Sequence, residues 1–239
     1  MQSITLAARG VQPHERACAE ALFSAVLTRH GLPGGLRLRL TGAACADGPL
    51  LVQANLRVHG APARIQVAGR DAAEALAAGA ARLDRQVRRL RTDWEPWPWP
   101  DPERRALAVP GRTGLTRVKV VRLYRRRVCQ AAARLAAMDY DAFLFTDAET
   151  GEDAVLHRAG PSGLQLTRQH SMHPAAVPGV PEPTVNPRRP PVLTPEEAAE
   201  RMAEGWLPFL FFTDRASGRG NLAYRRYDAG TGLVVPSRT

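Results

Sequence analysis

A ten-residue segment of this chain occurs twice, and that repetition constrains the fold more than any other feature. Ala142-Phe143-Leu144-Phe145-Thr146-Asp147-Ala148-Glu149-Thr150-Gly151 returns as Phe209-Leu210-Phe211-Phe212-Thr213-Asp214-Arg215-Ala216-Ser217-Gly218. The offset of 67 residues also carries Ala132 onto Ala199, Arg134 onto Arg201, Ala136 onto Ala203 and Arg158 onto Arg225. A unit this short is one supersecondary module, so the chain reads as an array of small modules without a single large core. A different segment of roughly 91 residues precedes both copies.

Proline placement marks the joints. Of 20 prolines, five fall between Trp94 and Pro110 and eight between Pro174 and Pro195. Each fixes φ and removes a backbone donor, so both stretches read as extended connectors. The expected organisation is a first domain over 1–92, a Pro/Trp-rich linker over 93–115, a repeat over 116–167, a Pro-rich linker over 168–190 and a second repeat over 191–239.

Net charge is +10, and Lys119 is the only lysine among 33 basic residues. Met1 to Arg91 holds 13 arginines against 6 acids, whereas Thr92 to Thr239 holds 20 basic residues against 17 acids. The excess therefore sits on the first module and points to a polyanionic partner. A GC-rich genome also favours arginine, so placement is the stronger clue. Cys18, Cys45 and Cys129 are odd in number and lack metal-ligand spacing, as in a reduced compartment. No charged-then-apolar leader follows Met1 and no apolar run is long enough for a bilayer, so a cytoplasmic protein is expected.

In the first module, Ser3 to Ala8 reads as a strand and Pro13 to His30 as a helix ended by Gly31 and Pro33-Gly34-Gly35. Three strands follow. Leu36, Leu38 and Leu40 alternate with Arg37, Arg39 and Thr41; Val52 to Val58 and Arg64 to Val67 alternate likewise, around turns at Asp47-Gly48-Pro49 and His59 to Pro62. Period two with one apolar face means a sheet covered on one side. Asp71 to Arg91 is a helix with Ala72, Leu76, Ala80, Leu83, Val87 and Leu90 as its stripe. The class is α/β (α+β): a β-α-β-β-β-α module with both helices on one face of a four-stranded sheet, then two small β-α-β-β repeats.

Five arginines crowd the end of that second helix. Arg82, Arg85 and Arg89 are expected on one exposed face, flanked by Arg88 and Arg91. Cations at a helix C-terminus complement the macrodipole, which accounts for one or two. Like charges at i, i+3 and i+4 repel, so five call for another reason, and phosphate binding by the planar guanidinium supplies it. Further candidates are Arg16 and Arg29 on the first helix and Arg37, Arg39, Arg57 and Arg64 on the open sheet face. Gly79 within the helix costs about 1 kcal/mol relative to alanine.

The β-α-β-β-β-α order, with Val67-Ala68-Gly69-Arg70-Asp71 leading to Leu83-Asp84-Arg85-Gln86 and its basic tail, resembles the ribosome hibernation-promoting factor family. Each repeat, with Phe-Thr-Asp-x-x-(Ser/Thr)-Gly, a strand, an arginine and a Gly-Leu pair, is similar to the C-terminal domain of the family's long forms. Thr194-Pro195-Glu196-Glu197-Ala198 matches its helix start and is also a capping box. In the first copy, Arg117 to Tyr124 is expected as a leading strand, and Gly163 to Leu166 closes the unit. The resemblance implies a non-enzymatic factor that binds the small subunit and its rRNA in the decoding channel, occludes mRNA and tRNA, and inhibits translation. It implies no cofactor, metal, membrane or small-molecule substrate. The family's C-terminal domain self-associates across two chains. Two tethered copies in one chain are expected to pair with each other, with a homodimer as the alternative.

Other constellations read blandly. Asp147, Glu149, Glu152 and Asp153 could form a hard-cation loop, but the second copy keeps only Asp214 among Asp214, Ala216, Arg219 and Gly220, so a hairpin turn is expected. His170 and His173 lack metal-ligand partners, and Cys129 reads as a helix packing residue. Trp94, Trp97 and Trp99 among prolines read either as docking onto the chain's own modules or as stacking on RNA or ribosomal protein. A general RNA-binding regulator whose repeats hold a protein partner is the competing function. An enzyme is disfavoured for want of a nucleophile–base pair, a phosphate loop or metal spacing.

Overall fold

The computed structural model describes residues 3–42, 49–92, 114–159, 163–174, 182–227 and 230–237. Cys45, the Asp47-Gly48 part of the first turn and the tryptophans Trp94, Trp97 and Trp99 lie outside them. Two compact units result: the N-terminal module with Ala137–Asp139, and a second unit holding both repeats. The mixed α/β class is as read from the sequence.

The first unit runs β1 (Ser3–Arg9), α1 (Pro13–Arg29), β2 (Gly34–Gly42), β3 (Leu50–Val58), β4 (Ala61–Gly69), α2 (Ala72–Arg89). Strands lie in the order β1-β2-β3-β4. β1 and β2 are parallel around the α1 crossover, and the others are antiparallel. Alternation does what period two requires: Leu36, Leu38 and Leu40 are buried while Arg37 and Arg39 are exposed. Phe23 and Leu27 of α1 and Leu76, Leu83 and Val87 of α2 join Leu38, Val52 and Ile65 in one core. Full burial of each such side chain is worth about 1.5–3 kcal/mol. A Cβ on Gly79 would come within 3.0 Å of Val52 Cγ1 and 3.2 Å of Phe23 Cζ. The sheet and α1 approach the helix so closely there that an alanine would need Val52 and Phe23 to give by a few tenths of an ångström, which offsets the poor helix propensity of glycine.

The second unit contains, from the first copy, β5 (Leu115–Val121), β6 (Arg125–Arg126), α3 (Val128–Ala137), β7 (Ala142–Asp147), β8 (Asp153–His157) and β9 (Gln165–Arg168). From the second come β10 (Thr184–Val185), β11 (Val192–Leu193), α4 (Pro195–Glu204), β12 (Phe209–Asp214), β13 (Gly220–Arg225) and β14 (Thr231–Pro236). Adding 67 takes β6, α3 and β7 onto β11, α4 and β12 residue for residue. The capping box at α4 is formed: Thr194 Oγ1 accepts the Glu197 N–H at 3.2 Å, and Glu197 accepts the Thr194 N–H at 2.8 Å.

The leading strands depart from expectation. β5 does not open the first copy's sheet; it pairs in parallel with β14 of the second. Reciprocally, β10 pairs in parallel with β9 of the first. The sheets are therefore β10-β9-β8-β7-β6 and β11-β12-β13-β14-β5. An alternating pattern marks a segment as a strand but does not say which edge receives it. The bonds settle the matter locally, with the Thr231 N–H donating to Gly114 O at 2.9 Å and the Ser237 N–H to Val121 O at 2.7 Å. Between the sheets, Leu144, Val155, Phe211 and Leu222 share one apolar cluster. These are two equivalent pairs at the repeat offset.

Candidate nucleic-acid interface

α2 begins where Asp71 accepts the Glu74 N–H at 2.8 Å, and its apolar stripe fixes which way each arginine leaves the helix. Arg82 does not leave it toward solvent. It is 1% exposed, with Nε 2.8 Å from Asp139 Oδ2 and Nη2 2.9 Å from Asp139 Oδ1. The exposed-face expectation is thus corrected for Arg82. A helical wheel cannot see a carboxylate 57 positions away. Gln86 Nε2, one turn on, donates to Ala137 O at 3.0 Å. Arg85 and Arg89 are half-buried, and only Arg88 and Arg91 of the five are exposed.

A second acid, Asp84, organises the cluster that remains. Its carboxylate accepts from Arg29 Nη1 at 2.8 Å, Arg88 Nη2 at 2.5 Å and His30 Nε2 at 3.0 Å. Burial pushes its pKa upward, but the Arg29, His30 and Arg88 contacts together outweigh it and hold the carboxyl below its ordinary range. The Arg29 and Arg88 side chains stay 65% and 63% exposed, so one end of each guanidinium is anchored while the rest faces water. Arg91 Nη2 is fixed 2.5 Å from His30 O. Arg29, Arg85 and Arg88 rim a cleft of about 300 Å³ whose floor is Leu22, Val26 and Ala80. Guanidiniums held in one orientation lose less freedom on meeting a phosphate than free ones would.

The other candidates lie elsewhere. Arg37, Arg39, Arg57 and Arg64 project from the sheet face opposite the helices, where Arg37, Asn55 and Arg64 align across three strands. Arg57 bonds Gly60 O, and Arg64 bonds Gln66 Oε1. Arg16 is exposed on α1, about 20 Å along the helix from Arg29 at 1.5 Å per residue. With Arg82 buried and Arg16 at the far end of α1, the remaining candidates form a helix-side group and a sheet-side group on opposite faces. Sequence reasoning missed Asp84 and Asp139 as organisers. The first stood within the quoted Leu83-Asp84-Arg85-Gln86 run, whereas nothing signalled the second.

Among the described residues, no three His, Cys, Asp or Glu side chains gather as a metal site, and no helix is long and apolar enough to cross a membrane. Residues 113–164 match the family described as "Sigma 54 modulation/S30EA ribosomal protein C terminus". Curated relatives described as "Dormancy associated translation inhibitor", from Mycobacterium tuberculosis strains CDC 1551 / Oshkosh and ATCC 25618 / H37Rv, are each 52% identical over 219 residues. The alignment covers 89% of this chain and 80% of each relative. A translation inhibitor and a ribosomal-protein domain family describe a non-enzymatic family. With an N-terminal β-α-β-β-β-α module ahead of such C-terminal repeats, the chain belongs to the long-form ribosome hibernation-promoting factor family.

Proposed function

We propose that this protein inhibits translation in the cytoplasm by binding the small ribosomal subunit in its decoding channel through rRNA phosphates, where it blocks mRNA and tRNA. The observation that carries this reading is the group of Arg29, Arg88 and Arg91, oriented by Asp84 and the His30 carbonyl at the ends of α1 and α2. Backbone-directed guanidiniums read the shape and charge of structured RNA without reading its sequence, which suits a fixed rRNA surface. The relatives' description as translation inhibitors supports the same conclusion.

The repeats pair within one chain in this reading, and the factor acts on single ribosomes. Reciprocal placement of β5 and β10 at the edges of each other's sheets supports that pairing, because each copy's leading strand is bonded into its sister's sheet. Gradient sedimentation with ribosomes tests both parts. The unaltered protein is expected in the single-ribosome peak, and Arg29→Glu/Arg88→Glu/Arg91→Glu is expected to bind at least about tenfold more weakly. Undiminished co-sedimentation of the triple variant sinks the phosphate contact. Paired ribosomes that depend on residues 116–239 sink the intramolecular pairing.

A further inference from the structure

Where two copies of a module pair about a two-fold axis, a residue on the axis meets its own counterpart. The Gly220 N–H donates to Asp153 Oδ2 at 2.9 Å, and these residues are separated by 67 positions, the repeat offset itself. Asp153 and Gly220 are thus the same position in two copies, facing each other on the pseudo-two-fold axis, and the two copies have made opposite choices there.

Each choice fits only the other. Asp153 is buried, and its carboxylate accepts from Arg219 Nε at 2.7 Å, Arg219 Nη2 at 3.1 Å, the Gly220 N–H and Thr146 Oγ1 at 3.2 Å. Arg219 corresponds to Glu152 in the first copy. A Cβ on Gly220 would lie 2.7 Å from Asp153 Cβ and 2.7 Å from Phe211 Cε2. Phe211 in turn corresponds to Leu144, so the larger ring takes space on the side that has given up its side chain.

We infer that the Asp153/Arg219/Gly220 corner makes the interface heterotypic, so that a first-type copy accepts only a second-type copy. Two first-type copies would set Asp153 against Asp153 with Glu152 where the arginine is needed, burying like charges without compensation. Two second-type copies would set glycine against glycine with a pair of arginines and no carboxylate between them. The partner that satisfies each copy is the one it is tethered to, and effective concentration then favours closure within the chain. This rests on the intramolecular pairing proposed above and adds what specifies it.

Hydrogen exchange on the full chain reads the pairing directly, since β5 and β10 each bond to the opposite copy's sheet. In the unaltered protein both segments are expected to be protected. Arg219→Glu alters a side chain already 40% exposed, and is expected to accelerate exchange in β5 and β10 by at least about tenfold while β1–β4 stay unchanged. Adding Asp153→Asn, which keeps the shape and can still accept the Gly220 N–H, is expected to recover most of the protection. Gly220→Ala is expected to accelerate exchange by contact alone. Protection that survives Arg219→Glu, or the absence of any recovery in the double variant, overturns the charge rule. Unprotected β5 and β10 in the unaltered protein would instead remove the pairing on which the rule stands.

Discussion

The two repeats follow one trace and hold it by different means. In the first copy, Asp147 is buried against Arg168, with Nε to Oδ2 at 2.6 Å, and Glu149 adds a second carboxylate to the same guanidinium. In the second, Asp214 sits in a half-buried turn, accepting the Ser217 N–H at 3.0 Å, and Val235 stands where Arg168 would be. The contrast recurs just past each helix. Asp139 and Trp206 occupy equivalent left-handed positions, with φ 51 and 48, yet Asp139 is buried on Arg82 while Trp206 is 80% exposed and stacked by Arg225 at 5.2 Å. Backbone geometry has outlasted side-chain chemistry at these sites. A duplicated module keeps its turns because they are needed to fold, and is free to spend its side chains on new contacts.

Equivalent substitutions should expose that difference. The largest separation is expected at the hairpin aspartates. Asp147→Ala leaves Arg168 buried without its main carboxylate and should cost about 3–5 kcal/mol. Asp214→Ala removes two exposed turn bonds, from the Ser217 N–H and the Ser217 hydroxyl, and should cost about 1 kcal/mol. Equal losses in urea unfolding would show that the buried pair contributes no more than the turn. Next come the helix starts. Thr194→Ala should cost about 1 kcal/mol by breaking the capping box. In the first copy Gln130 Oε1 accepts the Arg127 N–H at 3.1 Å, and Gln130→Ala should cost less than Thr194→Ala, because it lacks the reciprocal bond.

The smallest expected effect is on pH dependence. His157 packs against Phe209 across the repeats, with ring centroids 4.9 Å apart and the planes tilted by 56°. Burial, the dominant influence, lowers its pKa below the ordinary imidazole value despite opposing bonds to Arg158 O and Gln165. Well above the ordinary imidazole value of about 6.5 the ring is neutral in both folded and unfolded chains and contributes no slope. As pH falls through about 6.5 the unfolded chain takes up the proton first, so stability should fall as pH falls until the lowered folded value is passed. His157→Gln should flatten this component in denaturation curves taken from pH 8 to 5. An unchanged slope would place the titration elsewhere.

Much of this was legible from residues alone. The repeat offset, the β-α-β-β-β-α order, the one-sided sheet and the Thr194 cap all rest on local patterns, and local patterns survive folding. What escaped depended on partners distant in sequence. Arg82 looked like surface because its spacing matched Arg85 and Arg89, yet Asp139 claims it. β5 looked like the opening of the first copy because it precedes it, yet β14 receives it. The acids at Asp147 to Asp153 read as an ordinary turn, which describes their backbone, while Asp153 meets Arg219 and Gly220 of the other copy.

The exchange of β5 also sets a timetable for biogenesis. The contact between Thr116 and Thr231 spans 115 positions, so β5 emerges during synthesis long before the strand that will receive it exists. Its outward valines, Val118 and Val120, remain in contact with water even in the finished sheet, and must stay unpaired through that whole interval. Long-range closure of this kind is slow and leaves an adhesive edge open to chaperones and proteases. The N-terminal module, whose contacts are mostly nearer neighbours, can finish first. A nascent chain of this protein is therefore armed at its front while its rear is still incomplete.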